Sequence, residues 1–369
     1  MMATRKVSGH WLWRLKLIVV LLSALGLLGC EDSAQNDDRA IALMAAQVDE
    51  QFSQVEPGKI LSFPRDHLSH PDFRTEWWYL TANLEAENGE VFGVQWTLFR
   101  SAASNSSGKG WESPQRFMSH TVITSAKQTW AAERFARGGI GQAGVRSRPF
   151  LAWLDNWQWR SYSDSPFPAV LTFADGDMKA TLAVQKTGEH VLQGEQGYSK
   201  KHATENIASY YYSEPFLHVN GKLELNGETY KVKGKGWYDH EWSSVGLSEL
   251  QQGWDWFSVH LDDGRALMLY QIREKNRQPY YFGSLSWPNG ESLKLGEGDI
   301  RLVPVTFTTH KGRNYPLKWS IAIPSQDISI KVDVVRKEQW LPFVFSYWEG
   351  PIEVSGSHSG QGFMELTGY

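Results

Sequence analysis

From Ile60 onward the apolar positions recur in short alternating runs, among them Leu80 to Leu84, Val91 to Phe99, Ala169 to Phe173 and Lys179 to Val184, punctuated by Gly, Asn and Asp. Successive side chains on a strand point to opposite faces, so this period predicts half-buried β-strands. Asn88-Gly89 and Asp263-Gly264 each separate two such runs and predict tight hairpins, because glycine supplies the positive φ that these turns require. Helical periodicity is scarce, with one short helix-compatible stretch near Ile41 to Val48. The pattern predicts an all-β fold.

One pattern occurs twice. Trp78-Tyr79 leads through Asn83-Leu84 and a glycine turn to a strand ending Leu98-Phe99-Arg100, and Trp256-Phe257 leads through His260-Leu261 and a glycine turn to a strand ending Gln271-Ile272-Arg273. An acid precedes each aromatic cluster, Glu76 in the first copy and Asp255 in the second. Duplication of a β-domain accounts for both, and the roughly 310 residues beyond residue 56 exceed what one hydrophobic core organises. Between the copies, Gly139, Gly141 and Gly144 match a dinucleotide-binding spacing, but no buried parallel strand leads in and no helix leads out. The stretch from Glu133 to Gly144 therefore reads as a glycine-rich connection.

Arg5, Lys6, Arg14 and Lys16 precede an apolar run from Leu17 to Leu28 that ends Leu27-Leu28-Gly29-Cys30. This is the layout of an export signal, too short in its apolar core for a comfortable membrane span. A small residue followed by the chain's sole cysteine resembles the lipobox of bacterial lipoproteins, so residues 1–29 are expected to be a signal peptide and Cys30 the lipidation site. A polar tether over 30–56 would come next, hanging the protein from a membrane of the bacterial envelope on its periplasmic side. Loss of residues 1–29 removes four of 37 basic and none of 41 acidic residues, leaving 33 against 41, a net charge of −8. Nucleic acid is not an expected partner of such a chain. Eighteen tryptophans point to sheet interiors and to apolar pockets with polar rims, since indole is large and needs an acceptor for its N–H.

The chemistry concentrates in Gly236-Trp237-Tyr238-Asp239-His240-Glu241-Trp242. On a strand, Asp239 and Glu241 would share one face, with His240 and Trp242 on the other. Thr75-Glu76-Trp77-Trp78-Tyr79 and Trp254-Asp255-Trp256-Phe257 repeat the combination of carboxylate and indole, and a pocket between strands is expected. Serine-elbow hydrolysis is excluded because Gly356-Ser357-His358-Ser359-Gly360 has histidine at its centre, and no second histidine follows His240-Glu241 at helical spacing. Asp239, His240, His120 and Glu76 are too scattered, and adjacent strand residues too divergent, for a metal or other cofactor to be expected.

Phe73 to Tyr79, Ala208-Ser209-Tyr210-Tyr211-Tyr212-Ser213, Asp239 to Ser243, Gly253 to Trp256, Tyr347-Trp348-Glu349-Gly350 and Glu365-Leu366-Thr367-Gly368-Tyr369 together resemble the AttH-type predicted secreted hydrolases, relatives of carotenoid 1,2-hydratase (CrtC). The resemblance runs from about residue 57 to the end. It implies two tandem lipocalin-like antiparallel β-barrel domains, divided here as 57–234 and 235–369. In the hydratases a His-x-Trp pair and a later Tyr with a nearby Asp are implicated in catalysis. His240 and Trp242 match the pair, whereas Tyr270 is followed by Gln271 and Ile272, with no carboxylate before Glu274. Asp239, Glu241 or Asp255 would have to replace the missing acid. The expected catalytic set is Asp239, His240, Glu241, Tyr270 and Asp255. The expected ligand-binding set is Trp242, Trp254, Trp256, Glu76, Trp77, Trp78 and Tyr79.

These residues suit two functions. One is acid–base hydratase or hydrolase chemistry on an isoprenoid- or lipid-like small molecule enclosed in an oily hollow. The other is non-enzymatic carriage of a lipophilic ligand beside an ABC transporter, a partnership implied by the resemblance to AttH.

Overall fold

The computed structural model describes residues 51–310 and 312–369. The expected signal peptide, the acylation site at Cys30 and the helix-compatible stretch 41–48 lie outside them. Among the described residues helix is limited to three short 3-10 turns, Arg65–His67, Gly110–Glu112 and Pro324–Gln326, and the rest of the ordered backbone is antiparallel sheet.

Eight strands position the candidate site: β1 (Thr75–Ala86), β2 (Val91–Ala102), β3 (Ala208–Leu225), β4 (Glu228–Ser243), β5 (Gln251–Leu261), β6 (Ala266–Glu274), β7 (Tyr347–Gly356) and β8 (Gly360–Leu366). A 13-stranded sheet holds β1 to β4 and a 10-stranded sheet holds β5 to β8. In each, the first long strand pairs with the last, β1 with β4 and β5 with β8, while two strands consecutive in sequence form the opposite edges. The edges are Thr129–Arg137 and Ala143–Arg146 in the first sheet, Ser292–Leu295 and Arg301–His310 in the second. Both sheets curl toward barrels, as right-handed strand twist favours. The shared topology is what duplication of one β-domain would leave. The expected hairpin turns are present, with Gly89 at φ +81° and Gly264 at φ +87°.

Three expectations about how the chain divides need correction. β4 lies whole in the first sheet, paired with β1 and β3 over its length, so a division at 234/235 cuts a strand whose partners are all on one side. The two sheets part between Ser243 and Gln251. The expected tether is not polar chain to its end, because Phe52 and Val55 are buried and the Glu56 amide donates to the Tyr210 hydroxyl at 2.9 Å. Glu133 to Arg137 belongs to an edge strand, leaving only Gly138 to Gln142 as connection.

The oily hollow is filled. Trp78, Trp96, Trp157, Trp159, Tyr212, Tyr238 and Trp242 are fully buried inside the first sheet, with Trp159 at 5.7 Å from Trp96 and 5.3 Å from Tyr238 between ring centroids. Phe257, Trp319, Tyr315 and Trp348 fill the second. Removing any one such ring is worth about 3–5 kcal/mol. Two cavities, about 300 Å³ beside Trp130 and Tyr230 and about 80 Å³ beside Phe216 and His260, lie on other parts of the molecule, and residues 239–242 line neither.

A third apolar cluster lies where the outward face of β1 and β4 meets that of β5 and β6, and contains Tyr79, Tyr211, Trp237, Trp256, Tyr270 and Phe363. The sheets approach closely there. A Cβ on Gly93 would stand 2.7 Å from a Pro351 ring carbon, and Asn83 donates to the Gly362 carbonyl at 3.0 Å.

Candidate functional site

Strand alternation sorts the expected site residues into three places. On β4, Trp237, Asp239 and Glu241 face the second sheet, whereas Tyr238, His240 and Trp242 face the interior of the first, the division that a period of two predicts. Trp77, Tyr79, Trp254, Trp256 and Tyr270 join Asp239 and Glu241 between the sheets. Glu76 and Trp78 join His240 and Trp242 inside the first barrel. Asp255 stands alone inside the second.

Inside the first barrel Glu76 is the hub. Its Oε1 lies 2.7 Å from His70 Nδ1 and 2.9 Å from His240 Nε2, and its Oε2 accepts from Arg100 Nε at 2.8 Å. Burial alone would push the Glu76 carboxyl up, but Arg100 and His70 override it and hold the group well below the usual range. Burial lowers His240 to about 4 against the pull of Glu76, so its ring is neutral near pH 7. Burial also acts to lower His70, yet Glu76 and Asp66 raise it overall. Trp242 stacks on His70 at 3.8 Å and 7°, and Trp78 on His240 at 4.8 Å. His70 Nδ1, Glu76 Oε1 and His240 Nε2 lie within 4.8 Å of one another and form a donor set suited to zinc. Those same atoms already bond one another, and Arg100 supplies the positive charge a metal would bring. The cluster clasps the segment before β1 onto the barrel end.

The layer between the sheets is different in kind. Asp239 accepts from Ser213 Oγ at 2.5 Å and from Trp237 Nε1 at 2.8 Å. Burial pushes its carboxyl up to about 7, outweighing the hydrogen bonds from Ser213, Trp237 and Tyr211. Glu241, two residues on and on the same face, is ion-paired with Lys201 at 2.8 Å. The Lys201 ammonium also lies over the rings of Tyr211 and Tyr270, at 4.9 and 4.7 Å. Tyr270 donates its hydroxyl to the Lys200 carbonyl at 2.7 Å. Half-buried Trp77, Leu247, Trp254 and Tyr280 form the rim.

The sequence did not single out Glu349, Glu365 and Lys201 in this layer, or His70 in the clasp. Glu349 and Glu365 sit in the family motifs Tyr347 to Gly350 and Glu365 to Tyr369, but only strand pairing shows that they meet. His70 and Lys201 lie outside the long alternating runs and carry no pattern of their own. The set carried over from the hydratases is not assembled: His240 and Trp242 point into the first barrel, and Tyr270 packs beyond the other face of β4. Asp255 accepts from Gln271 Nε2 at 2.6 Å and Tyr369 Oη at 2.7 Å, with Arg273 at 3.3 Å, and so does not enter the layer.

The family model described as AttH-like matches residues 54–369. The crystal structure of a protein assigned as AttH from Nitrosomonas europaea is 31% identical, covers 86% of this chain and 100% of its own, and superposes with a TM-score of 0.77. Kievitone hydratase from Nectria haematococca is 16% identical over 86% of this chain and 96% of its own, with a TM-score of 0.62, and shares the fold. Dehydratase asqC from Emericella nidulans is 26% identical over 164 residues, 41% of this chain and 44% of that enzyme, so the match spans less than half its length.

Proposed function

The chain belongs to the AttH-like family, and from that premise we propose that it is an acid–base enzyme that removes water from, or adds it to, a neutral hydrophobic small molecule between its two barrels. One observation carries the proposal: Asp239 and Glu241 project from the same face of β4 into one aromatic layer, the first with its carboxyl pushed up to about 7 by burial and the second ion-paired with Lys201. Two carboxyl groups with environments this different divide into acid and base. In the dehydrating direction Glu241 takes a proton from carbon, the C–H electron pair forms the double bond, and Asp239 gives its proton to the departing hydroxyl, which leaves as water. Hydration runs the same steps backwards. Trp256 and Tyr270 wall the apolar body of the ligand, and Lys201 pairs with Glu241 beside them. The names of two similar proteins, a hydratase and a dehydratase, describe this chemistry in its two directions and support the reading.

The test works without an identified substrate. Purified protein is incubated with an apolar extract of its own cells in ¹⁸O-labelled water, and extract components are followed by mass spectrometry. Gain or loss of one water by a component is expected, slowed about 10²- to 10⁴-fold in Asp239→Asn with an unchanged urea midpoint. Turnover equal in Asp239→Asn, Glu241→Gln and the parent protein would sink the proposal. As the acid must be protonated, the rate is expected to fall as pH rises through about 7. The reading includes export and acylation at Cys30, which would bring the layer to a membrane surface. Labelled palmitate incorporated equally by the parent protein and Cys30→Ser would overturn that part.

A further inference from the structure

Glu349 on β7 and Glu365 on β8 are register partners, so their side chains leave the same face of the sheet side by side. Both enter the layer that holds Asp239. Among the described residues no Lys, Arg or His bonds either one; Glu349 accepts from the Tyr79 hydroxyl and Glu365 from Trp254 Nε1 at 2.9 Å. Like charges placed opposite each other away from water do not both ionise. Burial, then repulsion by Glu365, pushes Glu349 well up, and burial with the nearby charges of Asp239 and Glu241 brings Glu365 up to about 7.

A neutral Glu349 uses one oxygen to accept from Tyr79. Its other oxygen, Oε2, is buried and has no partner among the described residues. A buried donor left without an acceptor costs about 1–3 kcal/mol, so its persistence points to an acceptor that arrives from outside. Glu365 is only partly buried, beside half-buried Trp254, so the pair is reached from the rim of the layer.

We propose that Glu349 and Glu365 form a donor pair for the carbonyl oxygen of the substrate, which makes the substrate a β-hydroxy carbonyl compound or the corresponding α,β-unsaturated one. Two carboxylic O–H groups on neighbouring strands match the two lone pairs of one carbonyl oxygen, and a carbonyl, unlike a hydroxyl, brings no proton needing an acceptor of its own. The inference deepens the acid–base reading and rests on it for the roles of Asp239 and Glu241. Glu241 takes the proton α to the carbonyl, and the C–H pair moves into an enolate whose charge falls on the oxygen held by the pair. The electrons then return to form the α,β double bond, and the β-hydroxyl leaves as water with the Asp239 proton.

The test uses the full chain and a ¹³C-carbonyl naphthyl methyl ketone, with the corresponding secondary alcohol as control. The expected result is ketone binding with the carbonyl stretch moved to lower frequency. In Glu349→Leu the shift is lost and ketone affinity falls at least tenfold, while the alcohol binds as before. Glu349→Gln, closer in size and able to donate only weakly, keeps part of the shift and decides the matter should Glu349→Leu not fold. A ketone that does not bind, or a carbonyl band that is the same in Glu349→Gln, Glu349→Leu and the parent protein, overturns the proposal. A parent protein that exchanges water yet shows no shifted carbonyl band overturns this inference and leaves the acid–base reading standing, whereas a shifted band without water exchange does the reverse, so the two fail independently.

Discussion

The two barrel ends answer the same problem with different parts. In the first, Glu76 is bonded to Arg100, which also donates to Gln115 and to the His70 and Phe73 carbonyls. In the second, Asp255 takes the place of Glu76 and Arg273 that of Arg100, while Tyr369 from the chain's last residues covers the end and lies 3.8 Å from the guanidinium. The net electrostatics have opposite signs. Burial works against both acids, but Arg100 at 2.8 Å and two histidines prevail over it for Glu76, whereas Arg273 at 3.3 Å does not for Asp255, whose carboxyl is pushed up. The repeated pattern thus carries an acid–arginine clasp at both ends, elaborated at only one. The acid preceding each aromatic cluster marks a closure, and the proposed proton chemistry lies on the outer faces that the two sheets turn toward each other.

The largest expected effect distinguishes the clasps by stability. Arg100→Met leaves Glu76 buried without its arginine and takes the donor from the Phe73 carbonyl, a loss of about 3–5 kcal/mol. Arg273→Met removes a longer contact to an acid that already favours its neutral form, and about 1–2 kcal/mol is expected. Urea midpoints measure both. Equal losses would mean that the two ends do not differ in the way their geometry implies.

A second contrast is in pH. Glu76 has a folded pKa below its ordinary 4.5, so its contribution is present above that value and lost as pH falls through the folded one. Asp255 has a folded pKa above its ordinary 3.8, so its contribution is present below that value and lost as pH rises through the folded one. Against the parent protein, Glu76→Gln is expected to weaken the fall in stability toward acid, and Asp255→Asn to weaken the fall away from it. Denaturation profiles displaced in the same direction would contradict the opposite signs.

Much of this arrangement is legible in the sequence, and the gaps have physical causes. A period of two is local, so the split of Asp239 and Glu241 from His240 and Trp242 could be read from seven residues. The repeated hairpins likewise fixed the paired topology, because each carries its own turn and aromatic cluster. Where an acid points relative to a second sheet is not local. Glu76 and Asp255 looked like site residues because carboxylate beside indole suits a pocket and a closure equally, and the strand face alone separates the two. Glu349 and Glu365 meet through β7–β8 register, and their proximity to Asp239 depends on how the two sheets dock. The filling of the first barrel was hidden for a related reason: tryptophan at core positions is consistent with a wall and with a plug, and the ring contacts of Trp159 with Trp96 and Tyr238 decide for the plug.

The smallest expected effect tests the tail that closes the second end. Tyr369 donates its hydroxyl to Asp255, stacks on Arg273, and offers its backbone carbonyl to Arg313 at 2.9 Å. Tyr369→Phe keeps the ring over the guanidinium and removes one hydrogen bond to an acid that burial already drives toward neutrality. About 1 kcal/mol is expected from the urea midpoint. If the hydroxyl were instead what holds Asp255 in place, Tyr369→Phe would cost as much as Arg273→Met, and Asp255→Asn would restore part of the loss by giving the site a neutral group from the start. In the first barrel that rescue has no counterpart, because Glu76→Gln leaves the Arg100 guanidinium buried beside an amide. A double-mutant cycle on Tyr369 and Asp255 therefore measures whether the second clasp is held by the packing of Tyr369 on Arg273 or by charge, as the first is.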